Sequence, residues 1–421
     1  MPTSALWRVM LPQGTNMMKT KVRLDNNTLA FFELVRAGLW TGANDNENAN
    51  QNHFEGVDWG EVYRMAEEQS VVGLVSAGLD WFKVQDSRFK VPQMVVLQFV
   101  GQTLQIEQRN KAMNEFVARL IEQLRQNGIY ALLVKGQGIA QCYEKPFWRS
   151  CGDVDLLLSE DNYEKAKKLL IPLASDVETE YTHFKHLGMT IDGWMVELHG
   201  TLHSRLSARV DRMVDAVQGD VFYGGKVRSV TFNANDNHND IIRTAGSVQV
   251  FLPAPDEDVI FVFTHILHHF FFEGIGLRQI CDWCRLLWVY RDSLDVRLLE
   301  QRLWKAGLMS EWKAFAAFAV EYLGMPVEAM PLFNLNDNAN HNLKRKAERI
   351  CRFVMEVGNF GHNKMVQGAG FKVKGYFWRK FVSFWGRLSD MLRHFRIFPL
   401  DSIRFFGGVL RSGLHAAVRG E

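Results

Sequence analysis

The run Gly152-Asp153-Val154-Asp155-Leu156-Leu157-Leu158 restricts the possible fold more than any other part of this sequence. Side chains alternate along a strand, so Asp153 and Asp155 must share one face and Val154 and Leu156 the other. Such a strand needs an apolar core behind it and something other than packing in front of it. On an extended strand the two acidic Cβ atoms lie about 6–7 Å apart. Two ionised carboxylates this close raise each other's pKa. A divalent cation is the natural partner, because Mg²⁺ takes one or two carboxylates together with substrate phosphates. A pair of such ions activates an attacking oxygen and stabilises a leaving one in phosphoryl or nucleotidyl transfer.

Other residues extend this pattern. In Val196-Glu197-Leu198 the acid is the polar break in an apolar strand, placed to complete a metal site from a neighbouring strand. Upstream, Leu133-Val134-Lys135-Gly136-Gln137-Gly138 ends a short apolar run and opens a helix. Glycines there let backbone N–H groups approach a phosphate, the helix N-terminus favours the anion, and Lys135 offers a point charge. The segment matches neither the P-loop nor the dinucleotide fingerprint. Arg149, four residues before Asp153, is a second candidate for phosphate contact.

The surrounding periodicity predicts an α+β unit. A helix over 104–126 ends at Asn127-Gly128. Strands follow at 129–134 and 154–158, and a helix at 160–170. Asp192-Gly193 is a two-residue hairpin signal between strands at 181–191 and 194–199. Helical spacing before residue 100, short strands over 217–252, and a helix opened by Pro255-Asp256-Glu257-Asp258 complete the reading. Asn-rich stretches at 43–52, 233–240 and 334–342 read as solvated loops. The expected divisions are a helical segment (1–100), the α+β core (101–205), short strands followed by helices (206–345), and a helical, basic and aromatic tail (346–421).

Composition excludes several classes. With 49 Lys plus Arg against 47 Asp plus Glu, the chain has no basic excess of the kind a dedicated duplex-DNA binder carries. Five scattered cysteines are too few for a disulfide framework and suit a reducing compartment. The longest apolar stretch, 259–272, is shorter than a membrane span and contains histidines. A cytoplasmic location is expected.

A Lys-Gly strand end, an arginine about fourteen residues on, Gly-Asp-Val-Asp-Leu-Leu-Leu and Val-Glu-Leu-His together resemble the polymerase-β-like nucleotidyltransferase superfamily. More narrowly, they resemble an uncharacterised bacterial nucleotidyltransferase family with a Lys-Gly opening. The resemblance implies a small mixed sheet with helices, embedded in a mainly helical protein. It implies an NTP substrate and Mg²⁺ or Mn²⁺. It assigns Asp153, Asp155 and Glu197 as catalytic metal carboxylates and places Gly136 in the nucleotide-phosphate loop; Lys135, Gln137 and Arg149 are expected beside it on the nucleotide side. The acceptor would be a sugar, small molecule, protein or RNA. The wider superfamily has Gly-Ser where this chain has Gly136-Gln137, which leaves Lys135 to replace the serine contact or activity to be weaker.

Several features carry a plainer reading. His199 with His203, and His265 with His268 and His269, read as buried or capping residues rather than zinc ligands. Cys281-x-x-Cys284 reads as core packing. Arg278 and Asp282, four apart, read as an ion pair. Residues 370–421 carry net +7, against −5 for the rest of the chain, with eleven aromatics. They read as a helix packed on the core. The alternative is peripheral contact with the inner face of a membrane, or with a partner, by a non-catalytic scaffold of the same fold.

Overall fold

The structure, a computed structural model, describes residues 24–40, 54–85, 89–181, 185–234, 246–358 and 394–404. Three helices come first: α1 (Asn26–Leu39), α2 (Trp59–Glu68) and α3 (Val72–Gln85). Asp25 caps α1 through the Thr28 N–H, and Asp58 caps α2 through the Gly60 and Glu61 N–H groups, each satisfying donors that a first turn leaves unpaired. Helices α1 and α3 pack with their backbones almost touching. A Cβ on Gly38 would fall 2.0 Å from the Leu74 carbonyl oxygen, and one on Gly78 2.0 Å from that of Leu34.

The long helix α4 (Gln93–Gln126) leads into β1 (Ala131–Val134), the short α5 (Gly136–Ala140), β2 (Asp153–Leu158), α6 (Glu160–Leu170), β3 (Asp176–Val177), β4 (His186–Ile191) and β5 (Trp194–His199). These five strands form one mixed sheet in the order β1-β2-β5-β4-β3. Only the β2–β5 pairing is parallel. Val154, Leu156 and Leu158 point back into an apolar core shared with Phe116, Leu120 and Leu124 of α4 and Tyr163 of α6. The hairpin turn is Asp192-Gly193, both with positive φ as a two-residue turn requires.

Next come α7 (Ala208–Phe222), the two-stranded ribbon β6 (Val227–Ala234) and β7 (Gly246–Pro253), and α8 (Pro255–Phe272). Then follow α9 (Leu277–Tyr290), α10 (Val296–Ala306), α11 (Met309–Leu323), α12 (Leu335–Ala339) and α13 (His341–Val357). The first and last helices share a second core, centred on Phe263, Trp283, Trp312 and Phe315. The result is a mainly helical α+β protein holding a five-stranded mixed sheet. Among the described residues, no helix is long and apolar enough to cross a membrane.

Several expectations change. The division at 100/101 falls inside α4, whose first turns leave Met94, Leu97, Val100 and Leu104 exposed. The division at 345/346 falls inside α13. Residues 217–222, expected among short strands, belong to α7, while β6 and β7 are eight residues each. The Asn-rich stretch 334–342 is not a loop. Asn334 and Asn340 are the N-caps of α12 and α13, the position where a short amide side chain best satisfies free N–H groups. Stretch 43–52 lies outside the described residues, as do 359–393 and 405–421, which contain most of the basic, aromatic tail. Of that tail, residues 394–404 pack on the helical core through His394, Ile397 and Phe398, while Phe395 stays exposed.

Candidate active site

The sheet register puts side chains in rows across one face. Asp155 on β2 pairs with Glu197 on β5, Glu197 with Gly188 on β4, and Glu178 bonds through its N–H to the Gly188 carbonyl. This is a row of carboxylates interrupted by a glycine. Two residues along, His199 on β5 pairs with His186 on β4, and Tyr181 bridges to His186. Their rings stack, with centroids 4.8 and 6.1 Å apart and planes 10° from parallel. Asp153 lies two residues before Asp155 on the same face of β2.

A cavity of about 340 Å³ opens over these rows, within the range of small-molecule sites. Asp153, Asp155, Glu197, Lys135 and Gly136 all line it, with His265, His268 and His269 of α8. The structure thus brings together five of the seven residues singled out from the sequence as a working group. Arg149 also reaches the cavity wall but is held by another partner, and Gln137 faces elsewhere.

Hydrogen bonds tie the group into a chain. Lys135 Nζ donates to Asp155 Oδ1 at 2.9 Å. His199 Nε2 stands 2.8 Å from the same oxygen and 3.4 Å from Glu197 Oε2, and His186 Nε2 stands 3.2 Å from Glu197 Oε2. Lys135 reaches Asp155 from the end of β1 by adopting φ 56°, a conformation that costs a non-glycine residue on the order of 1–3 kcal/mol. Gly136 after it also has positive φ (34°).

The charges are unbalanced. Burial pushes the Asp155 carboxyl up, but the Lys135 ammonium and the His199 hydrogen bond outweigh it and hold the group below the usual carboxylate range. Glu197 is likewise held low, burial being outweighed by the hydrogen bonds from His186 and His199 and by Lys135. Asp153 goes the other way: burial, then the Asp155 and Glu197 carboxylates, hold its carboxyl above its ordinary value. Lys135 is raised because the three acids outweigh its burial.

Gln137 turns away from the cavity. Its Nε2 donates to Asn110 Oδ1 on α4 at 2.7 Å, and Asn110 Nδ2 in turn donates to the carbonyls of Phe147 and Arg149. Its side chain braces the 146–149 segment rather than facing a ligand. Arg149 is buried in a two-pronged pair with Asp282 of α9, at 2.9 and 2.6 Å, and Tyr143 Oη donates to the same carboxylate. The expected Arg278–Asp282 pair is therefore absent. Asp282 serves Arg149, and Arg278 donates to the Ser150 carbonyl from the cavity wall.

The family of uncharacterised nucleotidyltransferases matches residues 55–324, well over half of the chain. The chain belongs to that nucleotidyltransferase family. The match takes in the whole mixed sheet, the carboxylate row and helices α2 to α11 up to Gly324. Neither the curated proteins nor the solved structures searched return a match.

His199 and His269 are buried, in line with the plainer reading of their spacing. His186, not singled out from the sequence, stands with His199 among the acids, and α8 lines the same cavity. There His265 Nε2 lies 3.0 Å from His269 Nε2, and His269 Nδ1 2.9 Å from Glu273 Oε2. Burial, then the Lys135 charge, drive the His265 imidazole well below its ordinary pKa, so it is neutral. Cys281 and Cys284 are buried in the helical core, as their spacing suggested.

Proposed function

We propose that this protein transfers a nucleoside monophosphate from an NTP to an acceptor, with Asp153, Asp155 and Glu197 holding Mg²⁺ or Mn²⁺. The observation that carries the reading is the parallel pairing of Asp155 with Glu197, with Asp153 on the same face, over a cavity also lined by Lys135 and Gly136. The donor set suits the ion. Three carboxylates converge, and the like charges that raise Asp153 are what a dication would neutralise. When bound, the metal would supply charge neutralisation at the transferred phosphate and activate the attacking oxygen.

The chain's own groups do the rest by position and charge. Lys135, fixed by Asp155, presents an ammonium at the mouth of the Gly136 turn, where the triphosphate would lie. Arg278 adds positive potential along the wall, whereas the Arg149 charge is met by the Asp282 carboxylate and stiffens the edge of the site. The His265–His269 pair lines the same cavity, and burial holds both imidazoles below their ordinary pKa, so the pair adds no positive charge there.

Transfer of label tests this. NTP labelled at the α-phosphate should mark an acceptor in fractionated cell extract, γ-labelled NTP should not, and Asp153→Asn should lower the α-label transfer at least about a hundredfold. Transfer of γ-label, or α-label transfer unaffected by Asp153→Asn, would overturn the reading.

A further inference from the structure

We propose that His186, Glu197 and His199 form a separate nitrogen-bearing metal position, selective for a transition-metal dication of the Zn²⁺ or Co²⁺ class, beside the all-oxygen position of Asp153 and Asp155. The inference shares Glu197 with the transferase reading and rests on that reading for the ion's place in the reaction. Binding of the ion stands on its own geometry.

The three donor atoms, His186 Nε2, Glu197 Oε2 and His199 Nε2, lie within 4.8 Å of one another. Zn–N and Zn–O bonds are about 2.0–2.2 Å, so two ligands of one ion stand roughly 3–3.5 Å apart. The two nitrogen-to-oxygen separations, 3.2 and 3.4 Å, fall in that interval. The convergence follows from the register. The hairpin sets His186 against His199, and Glu197, two residues before His199, falls on the same face. Opposite Glu197 stands Gly188, which fills none of the space, and the Glu178 carboxylate folds over it; a Cβ there would lie 2.6 Å from Glu178 Oε2. The trio lines the same cavity as the acids.

Chemistry sets the selectivity. Mg²⁺ wants oxygen ligands and keeps several waters, whereas imidazole nitrogen suits Zn²⁺ and its neighbours in the first transition row. His199 Nε2 also stands 2.8 Å from Asp155 Oδ1, and since a ring nitrogen either shares a proton or donates its lone pair to a metal, binding of the ion would replace that hydrogen bond.

The test is titration of the metal-stripped full chain with Co²⁺, followed by visible absorption, in parallel with calorimetric titration of the Mg²⁺ complexes of ATP, GTP, CTP and UTP. The expected result is one equivalent of Co²⁺ with an intense band of a nitrogen-bearing site, resistant to excess Mg²⁺. The band should be weakened at least about a hundredfold in His186→Ala and His199→Ala, and retained in Asp153→Asn. Circular dichroism checks folding. His186→Gln, which keeps a polar side chain but removes a good ligand, decides the matter if the alanine variants fail to fold. Absence of the band in the native protein, its displacement by Mg²⁺, or its persistence in folded histidine variants would overturn the inference. If Mg²⁺-ATP still binds through Asp153 in that case, the transferase reading stands. Histidine-dependent Co²⁺ binding in a protein that ignores the Mg²⁺ complexes of ATP, GTP, CTP and UTP alike would overturn the transferase reading and leave this inference intact.

Discussion

Asp153 and Asp155 are two residues apart on one strand, yet their surroundings drive them in opposite directions. Because the Asp153 carboxyl is raised, its ionisation costs stability at every pH above the ordinary carboxylate value of about 4. Asp153→Asn is therefore expected to stabilise the metal-free protein by ~0.5–2 kcal/mol at pH 7 while impairing activity. Urea denaturation at pH 7 and pH 3 checks the sign: the gain should vanish at the lower pH, where the carboxyl is protonated in both states. Asp155 has the opposite sign. Its lowered value adds stability above about pH 4 that is lost as pH falls through the folded value. Asp155→Asn leaves the Lys135 ammonium without its hydrogen-bonded partner and should cost about 3–5 kcal/mol at neutral pH, measured the same way. That Asp153 and Asp155 share a face was legible in the sequence because alternation on a strand is a strict geometric rule, while Glu197 showed as a polar break in an apolar strand and Lys135 as a charge at a strand end. Gln137 was not, because which way a side chain leaves a turn depends on what packs behind it, here Asn110.

At the scale of elements, the site depends on register and on close helix contacts. The Asp192-Gly193 turn pairs Ile191 with Trp194 and so sets His186 opposite His199 and Gly188 opposite Glu197. That pairing was available from the hairpin signal alone, and the closeness of the two histidines follows from it. His186 carries no signal along its own segment; only its place across the turn from His199 marks it. The α1–α3 contact was not legible, since glycine inside a helical pattern does not announce a partner. Gly78→Ala would drive a methyl into the Leu34 carbonyl, which is backbone and cannot step aside. The expected cost is about 1–3 kcal/mol or more, read as a lowered midpoint in thermal denaturation. Gly128→Ala offers a contrast: its Cβ would meet nothing within 4 Å, so its cost would come from the positive φ of 68° alone.

Across the whole molecule, the sheet that carries the acids is clamped by helices far away in sequence. Arg149 is bound by Asp282, Arg285 donates to the carbonyls of Leu39 and Cys142, and Gln69 joins Leu277 to Val354. This is why α1–α3 and α8–α13 share one core, and why a reading that cut the chain into consecutive pieces placed two divisions inside helices. Long-range pairs between buried charges leave no local pattern; the spacing of Arg278 and Asp282 pointed instead to a pair that does not form. Asp282→Ala should cost about 3–5 kcal/mol by stranding the Arg149 guanidinium, and should loosen the site edge along with the helical half. Unfolding followed by both tryptophan fluorescence and circular dichroism would read that loss. If the carboxylate row binds a nucleotide through a divalent ion, calorimetric titration with Mg²⁺-NTP reads it most directly. The expected result is binding that disappears with chelator and weakens at least about a hundredfold in Asp153→Asn. Equal affinity with and without Mg²⁺, unchanged in that variant, would contradict it.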